Sequence, residues 1–189
     1  MRGGVMQAQF FQPLPPSFPT WSLSSSSDPA ALAVVDGTGI NDGNGPHYSR
    51  RSPGSRTFTG VGREVVLVSK CGRAVWAVVQ QRTPSKVGSG GSRGRTGTAD
   101  TAAQWVWRNM IFRNLGAGRS SDLIREATEA TYALWQWRYG ELPPVPLRTE
   151  VDVRRVRSRN PGYCYQCAGW TKGETKRHKL FLYAPTTGA

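Results

Sequence analysis

The chain has 189 residues and carries 25 lysines and arginines against 12 aspartates and glutamates, a formal net charge of +13. This length accommodates one domain with a hydrophobic core, and the charge favours a polyanionic partner such as nucleic acid. No apolar run approaches the roughly 20 residues of a membrane-spanning helix, and no apolar signal core follows the first methionine. We therefore expect a soluble, cytoplasmic protein with no membrane partner.

The first 45 residues show little hydrophobic periodicity. Proline, serine and glycine cluster at 13–16, 24–27 and 36–39, and such clusters are typical of flexible segments. We expect residues 1–45 to form a flexible extension, within which 30–35 is a candidate for a brief helix or strand. The folded domain is predicted to span residues 46–185, followed by a tail at 186–189.

Two β-rich runs and a long basic loop come next. Residues 64–70 and 74–81 flank Cys71-Gly72, a spacing that predicts a hairpin. Residues 83–101 are rich in glycine and serine, and their charges are basic as far as Asp100. A connection this long is uncommon in a compact domain and is either functional or disordered.

A glycine-rich segment joins the next predicted strand, residues 104–112, to a helix with apolar residues at helical spacing over 123–137. Gly116 and Gly118 can adopt backbone angles that turn successive amides towards one point at the positive end of that helix. The segment is a candidate diphosphate site, and the alternative is an ordinary turn capped by a serine. The candidate ligands are Arg113, Leu115, Gly116, Ala117, Gly118, Ser120 and Ser121.

A strand predicted over 148–152 ends at Asp152 and leads directly into an arginine run. A carboxylate at a strand end can face a cleft as a base, orient an amine or bind a metal, or it can cap the following turn. Arginine side chains match phosphate oxygens through paired hydrogen bonds, so the run is a candidate nucleic-acid contact or else a solvated face. The candidate phosphate ligands are Arg50, Arg51, Arg154, Arg155, Arg157 and Arg159.

A short helix is predicted between 160 and 170, ahead of a final apolar strand at 179–184. It contains Cys164 and Cys167. Their C-x-x-C spacing can bind zinc, but only one other cysteine and two histidines remain to complete four ligands. We therefore expect both cysteines to be small buried hydrophobic residues.

Two of these segments resemble elements of the GNAT (Gcn5-related N-acetyltransferase) superfamily. Arg113-x-x-Gly116-x-Gly118 is similar to the pyrophosphate loop that holds acyl-CoA between a strand and its helix. Tyr165-x-x-x-Gly169-Trp170 is similar to the ending of a late helix of that family. The resemblance covers roughly residues 60–184. It implies an α+β fold whose two central parallel strands splay, with acetyl-CoA or another acyl-CoA between them.

The GNAT resemblance also implies chemistry. Acyl transfer to an amine needs a free lone pair on the amine and an acid for the departing thiolate. In GNAT enzymes a tyrosine at the place of Tyr165 often serves as that acid, and packing of its ring under the cofactor is the alternative.

A shorter resemblance concerns His47-Tyr48-Ser49, which precedes the GNAT-like region. It is similar to a segment of the Mom group of phage DNA-modification proteins, which alter the exocyclic amine of adenine in DNA. The resemblance implies that His47, Tyr48 and Asp152 converge at a modification site, with iron as a candidate metal. It predicts an N-acyltransferase acting on DNA. The alternatives are a GNAT acting on a protein or small-molecule amine, and a non-enzymatic nucleic-acid-binding protein on a degenerate GNAT scaffold.

Overall fold

The computed structural model describes residues 13–37, 55–83, 104–156 and 158–186. Over these residues, seven strands form one sheet in the order β1-β2-β3-β4-β5-β7-β6, flanked by three helices. The expected α+β class is confirmed. The elements are β1 (Trp21–Ser24), α1 (Pro29–Asp36), β2 (Arg63–Ser69), β3 (Ala74–Arg82), β4 (Trp105–Asn114), α2 (Ser120–Tyr139), β5 (Leu147–Asp152), α3 (Tyr163–Cys167), β6 (Thr171–Lys176) and β7 (Lys179–Tyr183).

The centre of the sheet contains its one described parallel pair, β4 and β5. Their pairing joins only three positions, from Trp107 opposite Leu147 to Asn109 opposite Thr149. Beyond Asn109, β4 stays paired with β3 through a bulge at Met110, while β5 continues beside β7. The ends of β4 and β5 therefore part and leave a gap within the sheet.

Each face of the sheet buries its own apolar cluster. The larger cluster lies under α2 and contains Trp76, Trp107 and Trp135. The smaller cluster lies under α1, where Val34 and Val35 pack against the sheet. Because side chains alternate along a strand, neighbouring residues of β3 and β4 enter opposite clusters. Within the described residues, no helix is long and apolar enough to span a membrane.

The N-terminal segment differs from the flexible extension expected for residues 1–45. Of its described residues, 13–37, β1 pairs antiparallel with β2 and α1 packs on the sheet. Trp21 is 1% exposed, and its Nε1 donates to the carbonyl of Leu123 at 3.2 Å. Both elements are too short, at four and eight residues, for periodicity to show in the sequence.

The other predicted elements are found close to their expected bounds, and besides β1 one further strand, β6, was missed. The hairpin of β2 and β3, the helix α2 and the strands β4, β5 and β7 are confirmed. The strand β6 was not predicted because its residues are almost all polar and exposed. It forms an edge of the sheet, where a strand needs no apolar alternation.

Replacing Trp21 tests whether β1 is part of the core. We expect Trp21→Ala to lower the free energy of unfolding by about 3–5 kcal/mol, because it leaves a cavity between β1 and α2. Urea denaturation measures this. Trp105→Ala is the control, because Trp105 is 46% exposed and contacts mainly Arg82; it should cost about 1 kcal/mol or less. Equal costs for the two variants would mean that β1 contributes nothing to the core.

Candidate functional site

The loop before α2 has the backbone geometry expected of its glycines. Gly116 and Gly118 have φ values of 91° and 148°. The amides of Gly116 and Ala117 already have an acceptor, since both donate to Asn114 Oδ1, at 3.1 and 2.8 Å. These two amides therefore shape the loop and are not open to a ligand.

The amides that follow remain open to an anion. Among the described residues, the backbone N–H groups of Gly118, Arg119, Ser120 and Ser121 have no intramolecular acceptor. Arg119 is the N-cap of α2 and makes no side-chain cap hydrogen bond. A Cβ placed on Gly118 would meet nothing within 4 Å, so the backbone there is accessible. Four free amides at the positive end of a 20-residue helix suit a phosphate group.

A cavity of about 460 Å³ lies against these amides. It is lined by the N-cap residue Arg119 and, from α2, by Ser120, Ser121, Asp122 and Arg125. The Asp122 carboxylate lies 3.2 Å from Arg125 Nη1 and 4.0 Å from Arg119 Nε. Tyr163, Cys164 and Cys167 line it from α3. We call it the outer cavity.

Two residues of the predicted diphosphate set lie elsewhere. Arg113 is 7% exposed, and its Nη1 donates to the carbonyl of Val35 at 3.1 Å, at the end of α1. Leu115 packs against the α1 cluster. Strand alternation directs both away from α2, which the loop motif alone did not reveal. Ala117 packs against the α2 cluster.

A second cavity, of about 140 Å³, occupies the gap between β4 and β5. We call it the splay cavity. Cys164 lines both this cavity and the outer one, so the two adjoin. The lining residues are Asn109, Met110, Phe112, Thr149, Val151, Val156, Gly162, Cys164 and Tyr165.

Tyr165 lies at the inner end of the splay cavity. It is 6% exposed, and its ring packs against Trp76, Phe112 and Trp170. Its hydroxyl is 2.6 Å from Asn109 Oδ1. One side chain therefore packs in the aromatic core through its ring and makes a polar contact at the gap through its hydroxyl.

Asn109 fixes the direction of that hydrogen bond. Its Nδ2 donates to the carbonyls of Ala77 at 3.0 Å and Ile111 at 2.9 Å, which uses both amide hydrogens. Oδ1 is then the acceptor, and Tyr165 is the donor. Thr149 Oγ1 donates to the Asn109 carbonyl at 3.2 Å. No sequence pattern indicated Asn109, because its partners Ala77, Thr149 and Tyr165 are 32 to 56 residues away in the chain.

A third cavity, of about 370 Å³, lies on the opposite face of the sheet. We call it the basic cavity. Asn109 and Met110 line both this cavity and the splay cavity, so the gap joins the two faces. Its other lining residues are Arg108, Glu150, Asp152, Arg154, Arg155, His178 and Lys179.

Asp152 lines the basic cavity and also caps the turn after β5. The cap is as predicted, and a role in chemistry stays a prediction. Its Oδ1 accepts from the amide of Arg154 at 3.1 Å. Its Oδ2 lies 3.8 Å from Arg155 Nε and 3.7 Å from His178 Nε2. Desolvation raises its pKa, but the hydrogen bonds from Arg154 and the nearby positive charges outweigh it, so the pKa is lowered. A lowered pKa makes Asp152 a weak base and favours an orienting role.

Glu150 organises a second group of cations. Its Oε2 lies 2.8 Å from Lys179 Nζ, and its Oε1 lies 3.5 Å from Arg148 Nη2 and 4.0 Å from Arg108 Nη1. Desolvation raises the pKa of Glu150, but Lys179 and the two arginines outweigh it and lower the pKa. The sequence signal for this polar face is a charged residue at every second position of β5, namely Arg148, Glu150 and Asp152. Sequence analysis did not recognise this pattern.

Several predicted site residues lie outside the described residues: His47, Tyr48, Arg50, Arg51 and Arg157. Their convergence with Asp152 and the iron site stay predictions. No group of three or more His, Cys, Asp or Glu able to hold a metal occurs among the residues with described positions.

The cysteines and the last arginine of the run are placed by the structure. Cys167 is exposed and Cys164 half-buried, which corrects the expectation that both are buried. A helix of five residues is too short to cover both side chains. Arg154 and Arg155 line the basic cavity, whereas Arg159 is exposed and does not.

The charge state of Glu150 predicts a pH-dependent stability difference. Because the folded-state pKa is lowered, the ionised carboxylate stabilises the fold above its unfolded pKa, and this contribution is lost as pH falls through the folded pKa. We expect Glu150→Gln to lower Tm by about 2–4 °C at pH 7, and this difference in Tm to shrink as the pH falls below 4.5 and through the lowered folded-state pKa. Thermal unfolding over a series of pH values, with Glu129→Gln on the exposed face of α2 as control, measures this. A difference in Tm between Glu150→Gln and wild type that stayed the same at acid pH would contradict the stabilising role of the ionised Glu150.

Comparisons with protein-family models, curated proteins and solved structures gave no match to this chain. Support for a function therefore comes from the three adjoining cavities and from the motifs that line them.

Proposed function

We propose that this chain is a GNAT-like N-acyltransferase that uses an acyl-CoA to modify a base amine in DNA. The observation that carries the proposal is the series of three adjoining cavities. They run from the free amides of α2, through the gap between β4 and β5, to a basic cavity on the other face. An extended thioester cofactor on one face and an amine acceptor on the other would meet at the gap.

The residues present fit an acyl-CoA. The amides of Gly118 to Ser121 would hold the diphosphate. Arg119 and Arg125 line the same cavity with Asp122, which pairs with both, so the two cations exceed the one carboxylate by a single positive charge. The splay cavity is narrow, and its walls are largely apolar, which suits a pantetheine chain. When bound, the cofactor supplies an acyl group on a thioester carbonyl, which an amine can attack.

Asn109 and Tyr165 are the polar groups at the point where the acyl group would lie. The Tyr165 proton is directed at Asn109 in the described state. For Tyr165 to donate a proton to the departing thiolate, its hydroxyl must turn away from Asn109. The Tyr165 hydroxyl would then donate to Asn109 in one state and to the departing thiolate in the other.

The acceptor side is the basic cavity. Asp152, kept ionised and fixed by its contacts, can orient an acceptor amine by accepting its N–H. Arg154 and Arg155 place positive charge beside it. These two arginines and the net charge of +13 attract polyanions. The charge therefore favours an acceptor amine on a nucleic acid over one on a neutral small molecule. A base amine in duplex DNA must first be extruded from the stack to reach such a cavity.

The first test concerns the cofactor loop. We expect Gly118→Asp to abolish acetyl-CoA binding, since it adds a negative charge and a side chain where the free amides are accessible. Isothermal titration of acetyl-CoA measures the affinity. Gly140→Asp is the matched control, because Gly140 has a φ of 79° and open space at the other end of α2. Equal affinity in Gly118→Asp and wild type, or no binding by wild type, would refute the cofactor assignment.

The second test concerns the reaction. Mass spectrometry of nucleosides from DNA co-expressed with the protein should show a new modified nucleoside. Tyr165→Phe should lower its formation by about 10²–10⁴-fold if Tyr165 is the sole acid, because the ring is kept and only the proton donor is lost. Asp152→Asn and His47→Ala should abolish it while acetyl-CoA affinity stays close to that of wild type.

Tyr183→Phe, on β7 and outside the three cavities, is the control for loss of a hydroxyl. Full activity in both Asp152→Asn and His47→Ala would move the catalytic site elsewhere. DNA binding with no modified nucleoside would instead favour a non-enzymatic nucleic-acid-binding protein.

A further inference from the structure

The basic cavity holds more positive charge than its carboxylates balance. Arg108, Arg154, Arg155 and Lys179 line it, against Glu150 and Asp152. Arg148 lies directly behind, 3.5 Å from Glu150. Two carboxylates thus face five permanent cations, in a region that is partly shielded from solvent, where charge is screened less than on an open surface. Such a site attracts an anion.

The cations beside Glu150 differ from those of the arginine run because strands hold them. Arg108 lies on β4 and Lys179 on β7, the strands that flank Glu150 on β5. Glu150 contacts both, and its side chain is only 16% exposed. A carboxylate between two cations fixes their positions before any ligand arrives, so less side-chain entropy is lost on binding.

The arginines of this group also retain unused donors. The Nε atoms of Arg108 and Arg148 are buried, and within the described chain neither has a hydrogen-bond partner. Arg108 and Arg148 are 28% and 29% exposed, and Lys179 is 49% exposed, so all three remain accessible at their outer ends. Of the three, Arg108 and Lys179 line the basic cavity itself. Their cationic ends, held side by side on neighbouring elements of the sheet, suit a ligand with several acceptor oxygens.

We propose that Arg108 and Lys179, positioned by Glu150, bind one phosphodiester of the acceptor strand. This inference rests on the proposed acceptor, a base amine in DNA. The phosphate occupies the basic cavity, and the base amine of the same strand approaches Asp152 and the gap at Asn109. The arginine run supplies sequence-independent attraction, whereas this strand-held pair fixes which phosphate lies beside the reacting base.

The experiment uses a short single-stranded oligodeoxyadenylate and a series of the same oligonucleotide in which one linkage at a time is an uncharged methylphosphonate. Fluorescence anisotropy gives the affinity of wild type, Lys179→Ala and Arg108→Gln for each. For wild type we expect one linkage whose neutralisation weakens binding by about tenfold or more, the scale of a lost charge-assisted contact. For Lys179→Ala and Arg108→Gln, neutralising that same linkage should have little further effect.

Lys70→Ala, an exposed lysine in the turn after β2, is the control and should keep the wild-type linkage profile. Acetyl-CoA titration of every variant should match wild type, which also reports on folding. If the linkage profile of Lys179→Ala and Arg108→Gln matched wild type, the phosphate site would be refuted while the acyltransferase proposal stood. If wild type bound acetyl-CoA but no oligonucleotide, both the phosphate site and the DNA acceptor would be refuted, and acyl transfer to another amine would remain.

Discussion

The short parallel pairing of β4 and β5 is the constraint on which the site depends. Parallel strands that paired along their full length would close the sheet at this point. Here pairing stops at Asn109 and Thr149, because β4 bulges at Met110 and remains with β3 while β5 remains with β7. The gap brings Tyr165, from a helix on one face, within reach of the polar strand ends on the other.

The same constraint explains why buried polar groups are tolerated at the centre of the sheet. Asn109 is 3% exposed, in a position where an unpaired amide would cost about 1–3 kcal/mol. Both of its amide hydrogens bond carbonyls next to the bulge, and its oxygen accepts from Tyr165. The Asn109 side chain thus bonds carbonyls beside the bulge, where the pairing between strands is interrupted. It also fixes the orientation of the Tyr165 hydroxyl.

Much of the sheet was predictable because its central strands and α2 carry clear periodicity. The sequence also indicated Gly118, Ser120, Ser121, Asp152 and Tyr165, since each belongs to a local motif or ends an element. It did not indicate Asn109 or His178, because Asn109 meets Ala77 and Tyr165, and His178 meets Asp152, only when distant parts of the chain come together in the fold. Arg113 was misassigned because a loop motif carries no information on the face to which its flanking strand residues point. The short β1 and α1 and the polar β6 lack the alternation that sequence analysis reads.

The central claim is that one ligand runs from the α2 amides into the gap. Backbone and side-chain amide NMR shifts, recorded with acetyl-CoA, with adenosine diphosphate and with pantetheine, test it directly. The account predicts that adenosine diphosphate shifts the amides of Gly118 to Ser121 alone and that pantetheine shifts Asn109 Nδ2 and residues of the splay cavity. Acetyl-CoA should shift both groups together at one affinity. If acetyl-CoA shifted the α2 amides but left Asn109 unchanged, or shifted neither, the gap would not be the path of the cofactor and the account would be contradicted.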